Sequence, residues 1–219
     1  MKAVRGEMLS QTSLKKKRML KYFIDAAADI IKNEGAQKIT ARKVAQKAGY
    51  TNSTIYNYFE ELSHLVYFAS MRFTVQYHIE ASAYLTEKNA LDAYLLTWEC
   101  FCRYSYKDPH IYHRIFIADL GENPKDMLQQ YYDVYEEDLL EVPKEYLSLT
   151  LEPDLTDRSK AILVRAVKQG RLPEEEIEPI NNMSILMWKG MLTTIINKRS
   201  TIDIDEAVQQ TMSYIRKLV

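Results

Sequence analysis

Gly49 separates two short stretches that each follow a threonine and carry apolar residues at helical spacing. Thr40 is a favoured N-cap residue for a helix over 41–48, and Thr51 for a helix that contains 52–59. Glycine suits the tight turn between them because it adopts left-handed backbone conformations readily. Two short helices joined in this way behind a longer helix form a helix-turn-helix, which places its second helix in the major groove of DNA.

The apolar residues of this region fit that arrangement. In the longer first helix, predicted over 14–34, apolar pairs recur every four positions and form one stripe. The small side chain of Ala45 lets the next two helices cross closely, while Ile55 and Phe59 supply the core face of the third helix. A small helical bundle without a DNA-binding role would share this core, so the exposed residues decide between the two interpretations.

The exposed side of the third helix is polar and carries no acidic residue. A helix face that meets only solvent usually carries paired glutamate and lysine. Asparagine can bond bidentately to adenine, serine and threonine reach base edges or phosphates, and tyrosine reaches phosphate. The residues that this chemistry predicts to contact DNA are Asn52, Ser53, Thr54, Tyr56 and Asn57.

Charge is distributed unevenly along the chain. Residues 1–59 contain 12 Lys and Arg against 4 Asp and Glu, whereas residues 60–219 contain 17 against 26. The whole chain has a net charge of −1, so the surplus of eight positive charges belongs to the first part alone. A basic segment of this kind favours binding to a polyanion, and Lys16 in the first helix is expected to contact phosphate.

The stretch from Ile39 to Phe59 reads T-x-x-x-V-A-x-x-A-G and then T-I-Y-x-Y-F, and it resembles the DNA-binding domain of the tetracycline-repressor (TetR) family. The resemblance covers about the first sixty-five positions. We count Lys43, and Thr51 with the helix N-terminus that it caps, among the expected DNA-binding residues. The resemblance itself implies phosphate contact for Thr40, phosphate or base contact for Arg42, base contact for Asn52, Ser53 and Thr54, backbone contact for Tyr56 and Tyr58, and either for Asn57.

Leu62 departs from the family pattern. The family usually has a lysine that meets phosphate at this position, whereas here a leucine follows Glu60 and Glu61. We therefore expect the DNA backbone to be held more weakly or at another point.

The remaining chain predicts one helix after another, so the expected fold class is all-α. We expect a helix-turn-helix DNA-binding domain over 1–62 and a larger helical effector-binding and dimerisation domain over 63–219. No apolar run approaches the roughly 20 residues of a membrane span, no secretory signal is apparent, and the two closely spaced cysteines favour a reducing cytoplasm. The predicted helices are 63–85, 89–106, 109–119, 124–141, 157–169, 176–198 and 203–218, and 143–156 is the predicted loop.

The middle helices are rich in aromatic residues, which suit either an adaptable ligand pocket or an ordinary core. The last two helices are apolar nearly all round and must be covered on two sides, by the protomer's own core and by a second copy, unless the core is entirely intramolecular. The predicted pocket residues are Tyr67, Met71, Tyr94, Trp98, Phe101, Tyr112, Phe116 and Tyr131. The predicted dimer residues are Met187, Met191, Ile195, Val208, Met212 and Ile215.

No catalytic, cofactor or metal site is expected. His110 and His113 lie three positions apart downstream of Cys100 and Cys102, but no carboxylate completes a ligand set and the two thiols fall on different helix faces. The prediction is therefore a DNA-binding regulator: a homodimeric repressor on a pseudo-palindromic duplex, released by an unknown small-molecule effector. The alternatives are an effector-free module that acts through a protein partner, and an enzyme with a vestigial helix-turn-helix.

Overall fold

The computed structural model describes residues 2–121, 124–140, 142–198 and 201–219, with side chains from residue 13 onward apart from that of residue 145. In this part of the chain, α-helices and short 3-10 turns follow one another without any strand, which confirms the all-α fold class. The helices are α1 (Lys2–Glu34), α2 (Ala41–Ala48), α3 (Asn52–Ile55), α4 (Leu62–Met71), α5 (Val75–Tyr84), α6 (Ala90–Lys107), α7 (Pro109–Phe116), α8 (Pro124–Val134), α9 (Leu147–Thr150), α10 (Leu155–Lys168), α11 (Ile177–Ile196) and α12 (Ile204–Ile215).

The chain divides into two compact units, and the first contains α1–α4 together with α8 and the 3-10 turn Glu136–Leu139. In this unit α1 packs against α2, α4 and α8. Its core includes Phe23 and Ile24 of α1, Val44 of α2 and Leu65 of α4, all of which are fully buried. The apolar stripe of α1 therefore faces the elements that a helix-turn-helix needs behind it.

A network of polar and aromatic side chains lies within the first unit at the end of α8. Arg72 Nη1 donates a hydrogen bond of 2.5 Å to Asp138 Oδ2, and its guanidinium stands 4.0 Å from the centre of the Tyr135 ring. The hydroxyl of Tyr131 donates to the same carboxylate oxygen. The hydroxyl of Tyr135 donates 2.7 Å to Asp25 Oδ1. The segment after α8 is thus bonded both to α1 and to the residue that follows α4.

The second unit contains α5–α7 and α9–α12, with α6 in contact with α5, α10 and α12. Two buried polar pairs join α6 to α11: Tyr94 Oη donates to Ser184 Oγ at 2.9 Å, and Trp188 Nε1 donates to Ser105 Oγ at 2.9 Å. These bonds fix α6 against α11, because a buried polar group is costly unless it has a partner.

Cys100 and Cys102 of α6 are both buried and unpaired with each other. Burial raises the pKa of each thiol to about 12, so both stay protonated near neutral pH. Among the residues that the structure describes, no three or more His, Cys, Asp and Glu side chains gather as a metal site would require.

Several predicted boundaries are wrong. The single helix predicted over 63–85 is two helices: α4 ends at Met71, and α5 begins at Val75, with residues 72–74 between them. The helix predicted over 52–59 ends at Ile55 and continues as turns, and the predicted loop 143–156 contains α9. The domain boundary after residue 62 stays a prediction. Within the described segments no helix has both the length and the apolar character that crossing a bilayer would demand.

Candidate nucleic-acid interface and ligand cavity

The turn between α2 and α3 has the geometry that its sequence predicts. Thr40 Oγ1 accepts a hydrogen bond from the Lys43 N–H at 3.2 Å and so caps α2. Gly49 ends α2 with φ 73° and ψ 27°, a left-handed conformation that costs glycine nothing. The next N–H, that of Tyr50, bonds back to the carbonyl of Ala45 at 2.9 Å. The chain therefore turns sharply from α2 into α3.

The apolar side chains of the segment 51–59 are buried, while most of its polar side chains are exposed. Ile55 and Phe59 are buried, and the ring of Tyr58 packs on Phe23 with 5.9 Å between ring centres. Thr51 Oγ1 shares hydrogen bonds with Ser53 Oγ at 2.9 Å and Thr54 Oγ1 at 3.0 Å. These contacts stabilise α3, which is only one helical turn long, and the turns that follow it.

The predicted DNA-contacting residues of this segment differ in exposure. Asn52, Ser53 and Asn57 are exposed, and Tyr56 is 51% exposed. Thr54 and Tyr58 are half-buried. The exposed residues between Thr51 and Tyr58 present amides and hydroxyls and no carboxylate, so hydrogen-bonding groups without negative charge cover this surface.

The basic residues around this surface fall into two groups. Lys16 and Arg42 are exposed, and neither forms an ion pair with a side chain that the structure describes. Lys43 is paired with Glu34 at 2.5 Å, and Lys17 with Glu136 at 2.7 Å. Exposed pairs of this kind contribute only about 0–1 kcal/mol, so a phosphate can displace the carboxylate from Lys43.

The position that departs from the family pattern opens α4. Leu62 is half-buried and follows Glu61, whose Oε2 accepts a hydrogen bond from Ser63 Oγ at 2.8 Å. The structure therefore presents a carboxylate and an apolar side chain at this helix start, where the family usually has a lysine.

A cavity of about 40 Å³ lies in the second unit, between α5, α6, α9 and α10. Two of the predicted pocket residues, Trp98 and Phe101, line it. Tyr94, Tyr112 and Phe116 pack in the aromatic cluster around Phe101 and Trp98 instead. The lining residues are Tyr77, His78, Ala81, Ser82, Leu85, Thr97, Trp98, Phe101, Leu149, Thr150, Leu155, Arg158, Ser159 and Ile162.

Tyr67, Met71 and Tyr131 belong to the first unit and do not line this cavity, and their assignment to an effector pocket stays a prediction. Arg158 is 9% exposed and lines the cavity, although it was not among the predicted pocket residues. Its position was visible in the sequence, because it falls on the apolar stripe that Leu155 and Ile162 form along α10. A charged residue on an otherwise apolar stripe of a helix is therefore the feature of the sequence that indicates such a position.

The predicted dimer residues of α11 differ in exposure from those of α12. Met187, Met191 and Ile195 are half-exposed on α11. Val208, Met212 and Ile215 are buried within the protomer, and the assignment of these residues to a dimer interface stays a prediction. The exposed apolar residues of this region are Met183, Leu186, Ile204 and Tyr214. A groove of about 370 Å³ runs along it, lined mainly by Leu186, Met187, Gly190, Met191, Thr194, Ile202, Gln210, Thr211 and Tyr214.

Comparison with known sequences gives one family. Residues 23–62 match the sequence model of the family described as bacterial regulatory proteins, tetR family. No curated protein sequence matches the chain.

Solved structures resemble the chain over nearly its whole length. FadR of Thermus thermophilus, a TetR-family transcriptional repressor solved in complex with lauroyl-CoA, is 14% identical with a TM-score of 0.58, and the match covers 91% of this chain and 94% of that one. A TetR-family regulator from Rhodococcus sp. is 15% identical with a TM-score of 0.54, over 93% and 98%. The fatty acid degradation regulator FadR of Bacillus halodurans is 16% identical with a TM-score of 0.52, over 90% and 93%. At these identities the likeness establishes a shared fold.

Proposed function

We propose that the chain, whose residues 23–62 match the tetR family of bacterial regulatory proteins, is a homodimeric, sequence-specific transcriptional repressor released by a small-molecule effector. One observation carries the proposal: the segment 51–59 is anchored by Ile55 and Phe59, and the side chains that it exposes to solvent are uncharged hydrogen-bonding groups. A regulator of this kind acts where the chromosome is, so the proposed compartment is the cytoplasm.

In the proposed complex, Asn52, Ser53 and Thr54 contact base edges in the major groove. Tyr56, Asn57, Tyr58 and Thr51 hold the flanking backbone, together with Thr40, Arg42 and Lys43 at the start of α2. Lys16 adds a phosphate contact from α1. These assignments of base and backbone contacts are supported by the exposure of the polar residues and by the absence of any described ion pair at Lys16 and Arg42.

The proposed dimer forms through the exposed apolar residues of α11 and α12. Leu186 is 67% exposed, and a side chain of this type gains free energy when a second copy covers it. A two-fold dimer would present its two α3 segments to half-sites about 34–36 Å apart, which is one turn of the double helix.

The proposed effector site is the cavity of the second unit. A concave site lined mainly by apolar and aromatic side chains with a few polar groups is typical of a small-molecule site. The Thermus structure holds lauroyl-CoA, which supports the proposal that this fold in the present chain also accepts a ligand. Release then requires that the effector bind the DNA-free conformer more tightly than the DNA-bound one.

Selection of bound sequences from random duplex DNA tests the proposal. We expect enrichment of two inverted half-sites, and no enrichment of any sequence would refute specific binding. The alternative function, an effector-free module acting through a protein partner, keeps the same operator. It predicts that no small molecule changes operator affinity, which a titration of the complex with candidate effectors decides.

A further inference from the structure

The cavity of the second unit contains a buried cation that lacks a counter-charge. Arg158 is 9% exposed, and no carboxylate of a described residue forms an ion pair with it. A charge removed from water is costly unless it is paired, so buried arginines normally have an acidic partner. We propose that the effector supplies this partner: it is an organic anion whose acid group meets Arg158 and whose apolar part lies among the aromatic lining residues. This inference rests on the proposed function in one respect, since it takes the cavity to be the effector site.

The hydrogen bonds of Arg158 leave one end of the guanidinium available. Nε donates to the carbonyl of Glu152 at 3.1 Å, and Nη2 donates to the carbonyls of Glu152 at 2.6 Å and Thr150 at 3.3 Å. Nη1 is buried and has no hydrogen-bond partner. The backbone bonds thus hold the group in place, and the two N–H donors of Nη1 remain for an acceptor.

The polar groups beside Arg158 do not neutralise it. Burial, with a contribution from the charge of Arg158, lowers the pKa of His78 well below its usual value, so His78 is neutral near pH 7. Burial raises the pKa of Tyr77, although the charge of the neighbouring Arg158 acts in the opposite direction, so the Tyr77 hydroxyl is neutral as well. The lining contains no Asp or Glu, so its only full charge is positive.

A second group in the cavity lacks a partner. Thr97 Oγ1 is buried and makes no hydrogen bond among the described atoms. It can bond to the same ligand head group as Arg158 or to a polar atom further along the ligand. Two unpartnered polar groups in one small cavity indicate a ligand with at least one strong acceptor.

The size of the cavity constrains the rest of the ligand. A volume of about 40 Å³ holds about three water molecules, so an acyl chain or a ring enters only if lining side chains move. Trp98 lines the cavity and donates from Nε1 to Ser159 Oγ at 3.1 Å, which places an intrinsic fluorophore in the wall. Ligand entry should therefore change tryptophan emission.

The experiment measures binding to the full-length protein without DNA. Octanoate, octyl phosphate, octanamide and octanol are each titrated while tryptophan fluorescence is followed, and each is also tested for a shift in melting temperature. We expect one of the two anions to bind roughly tenfold or more tightly than octanamide and octanol, because a charge-assisted hydrogen bond is stronger than a neutral one. The ranking of octanoate against octyl phosphate then tells whether the head group is a carboxylate or a phosphate.

Three arginine variants test whether Arg158 is responsible for the preference for an anion. Arg158→Met should abolish the preference for the anion and leave octanol binding within about threefold of wild type. Arg165→Met is the matched control, because Arg165 also lies on α10 and also donates to backbone carbonyls, those of Leu85 and Glu87, but does not line the cavity. It should retain the preference. Arg158→Lys, which keeps the positive charge, should retain part of it.

The inference is overturned if wild-type protein binds octanamide as tightly as both anions, a comparison that needs no variant to fold. It is also overturned if none of the four compounds binds, or if Arg158→Met and Arg165→Met lose the preference equally. Because no DNA is present, these outcomes are independent of whether the protein binds an operator.

Discussion

The hydroxyl of Tyr135 donates a hydrogen bond to Asp25 in the middle of α1, although the two residues are separated by 110 positions in the sequence. Tyr135 follows α8 directly, and the guanidinium of Arg72 lies 4.0 Å from the centre of its ring. A segment that comes late in the chain thus supports the helix on which α2 and α3 are assembled. The stability of the candidate DNA interface therefore depends on residues outside the family match at 23–62.

Tyr135→Phe should destabilise the first unit by about 1 kcal/mol, because it removes one hydrogen bond to a carboxylate that solvent still reaches. Denaturant unfolding measures the change. Tyr22→Phe is the control, since Tyr22 lies on α1 but is exposed, and it should change stability by less than about 0.5 kcal/mol. Equal effects of the two substitutions would contradict a stabilising role for the bond to Asp25.

Asn52→Ala should reduce discrimination between the selected operator and random duplex DNA by about 1–3 kcal/mol, because it removes a side chain that is proposed to bond to a base. Competition binding with labelled operator measures this difference. Asn33→Ala, at the C-terminal end of α1, is the control outside the proposed interface. If Asn52→Ala weakens both DNAs equally, the residue contacts the backbone and not a base.

Lys16→Ala should weaken operator and random DNA to the same extent and lower the slope of log affinity against log salt by roughly one, as expected when one phosphate contact is lost. Affinities measured at several salt concentrations test this. Lys168→Ala removes an equal charge from an exposed site on α10 and should leave the slope unchanged. An unchanged slope for Lys16→Ala would exclude a phosphate contact.

Leu186→Glu should weaken the dimer by roughly a hundredfold or more, because two-fold symmetry would bring two carboxylates into one apolar interface. Sedimentation at a series of protein concentrations measures the association. Leu140→Glu is the matched control: Leu140 is 81% exposed and belongs to neither α11 nor α12. A dimer that tolerates Leu186→Glu would have to form through another surface.

Glu80→Gln should cost about 1 kcal/mol near pH 7, and this loss should disappear in acid. Hydrogen bonds from Arg103, Tyr84 and Tyr104 lower the pKa of Glu80 to about 2, against a usual 4.5. A carboxylate with a lowered folded-state pKa adds stability that is complete above about pH 5 and is lost as the pH falls towards 2. The expected loss of stability is only about 1 kcal/mol, because solvent screens this partly exposed pair.

Unfolding of Glu80→Gln and wild type at pH 7 and near pH 3 measures the convergence. Glu87→Gln, at an exposed glutamate after α5, is the control for the removal of one carboxylate. A constant gap between Glu80→Gln and wild type over this range would contradict the lowered pKa.

The helix-turn-helix could be predicted from the sequence because its determinants are local. The cap at Thr40, the turn at Gly49 and the core positions Ile55 and Phe59 all fall within about twenty residues. Each follows from backbone preference or helical spacing. Thr51 occupies the N-cap position of α3 as predicted, but its side chain makes no capping hydrogen bond. The length of α3 could not be predicted in the same way, because the turns after Ile55 continue its spacing without continuing the helix.

The cavity and the dimer face were harder to predict, because periodicity shows that a helix face is apolar but not what covers it. Tyr131 and Trp98 give the same signal in the sequence, yet only Trp98 lines the cavity. Met187 and Met212 likewise both lie on apolar stripes, and the fold buries Met212 while it leaves Met187 half-exposed. These assignments depend on which helices meet, and contacts between distant segments decide that.

The two buried thiols of α6 can serve as intrinsic probes of transient opening in the second unit. The sequence contains 2 cysteines, and both are enclosed there. Alkylating reagents attack the thiolate, so labelling should proceed only when α6 is transiently uncovered. The labelling rate of native protein, with and without an occupant of the adjoining cavity, should therefore measure directly how tightly that occupant holds the helices closed.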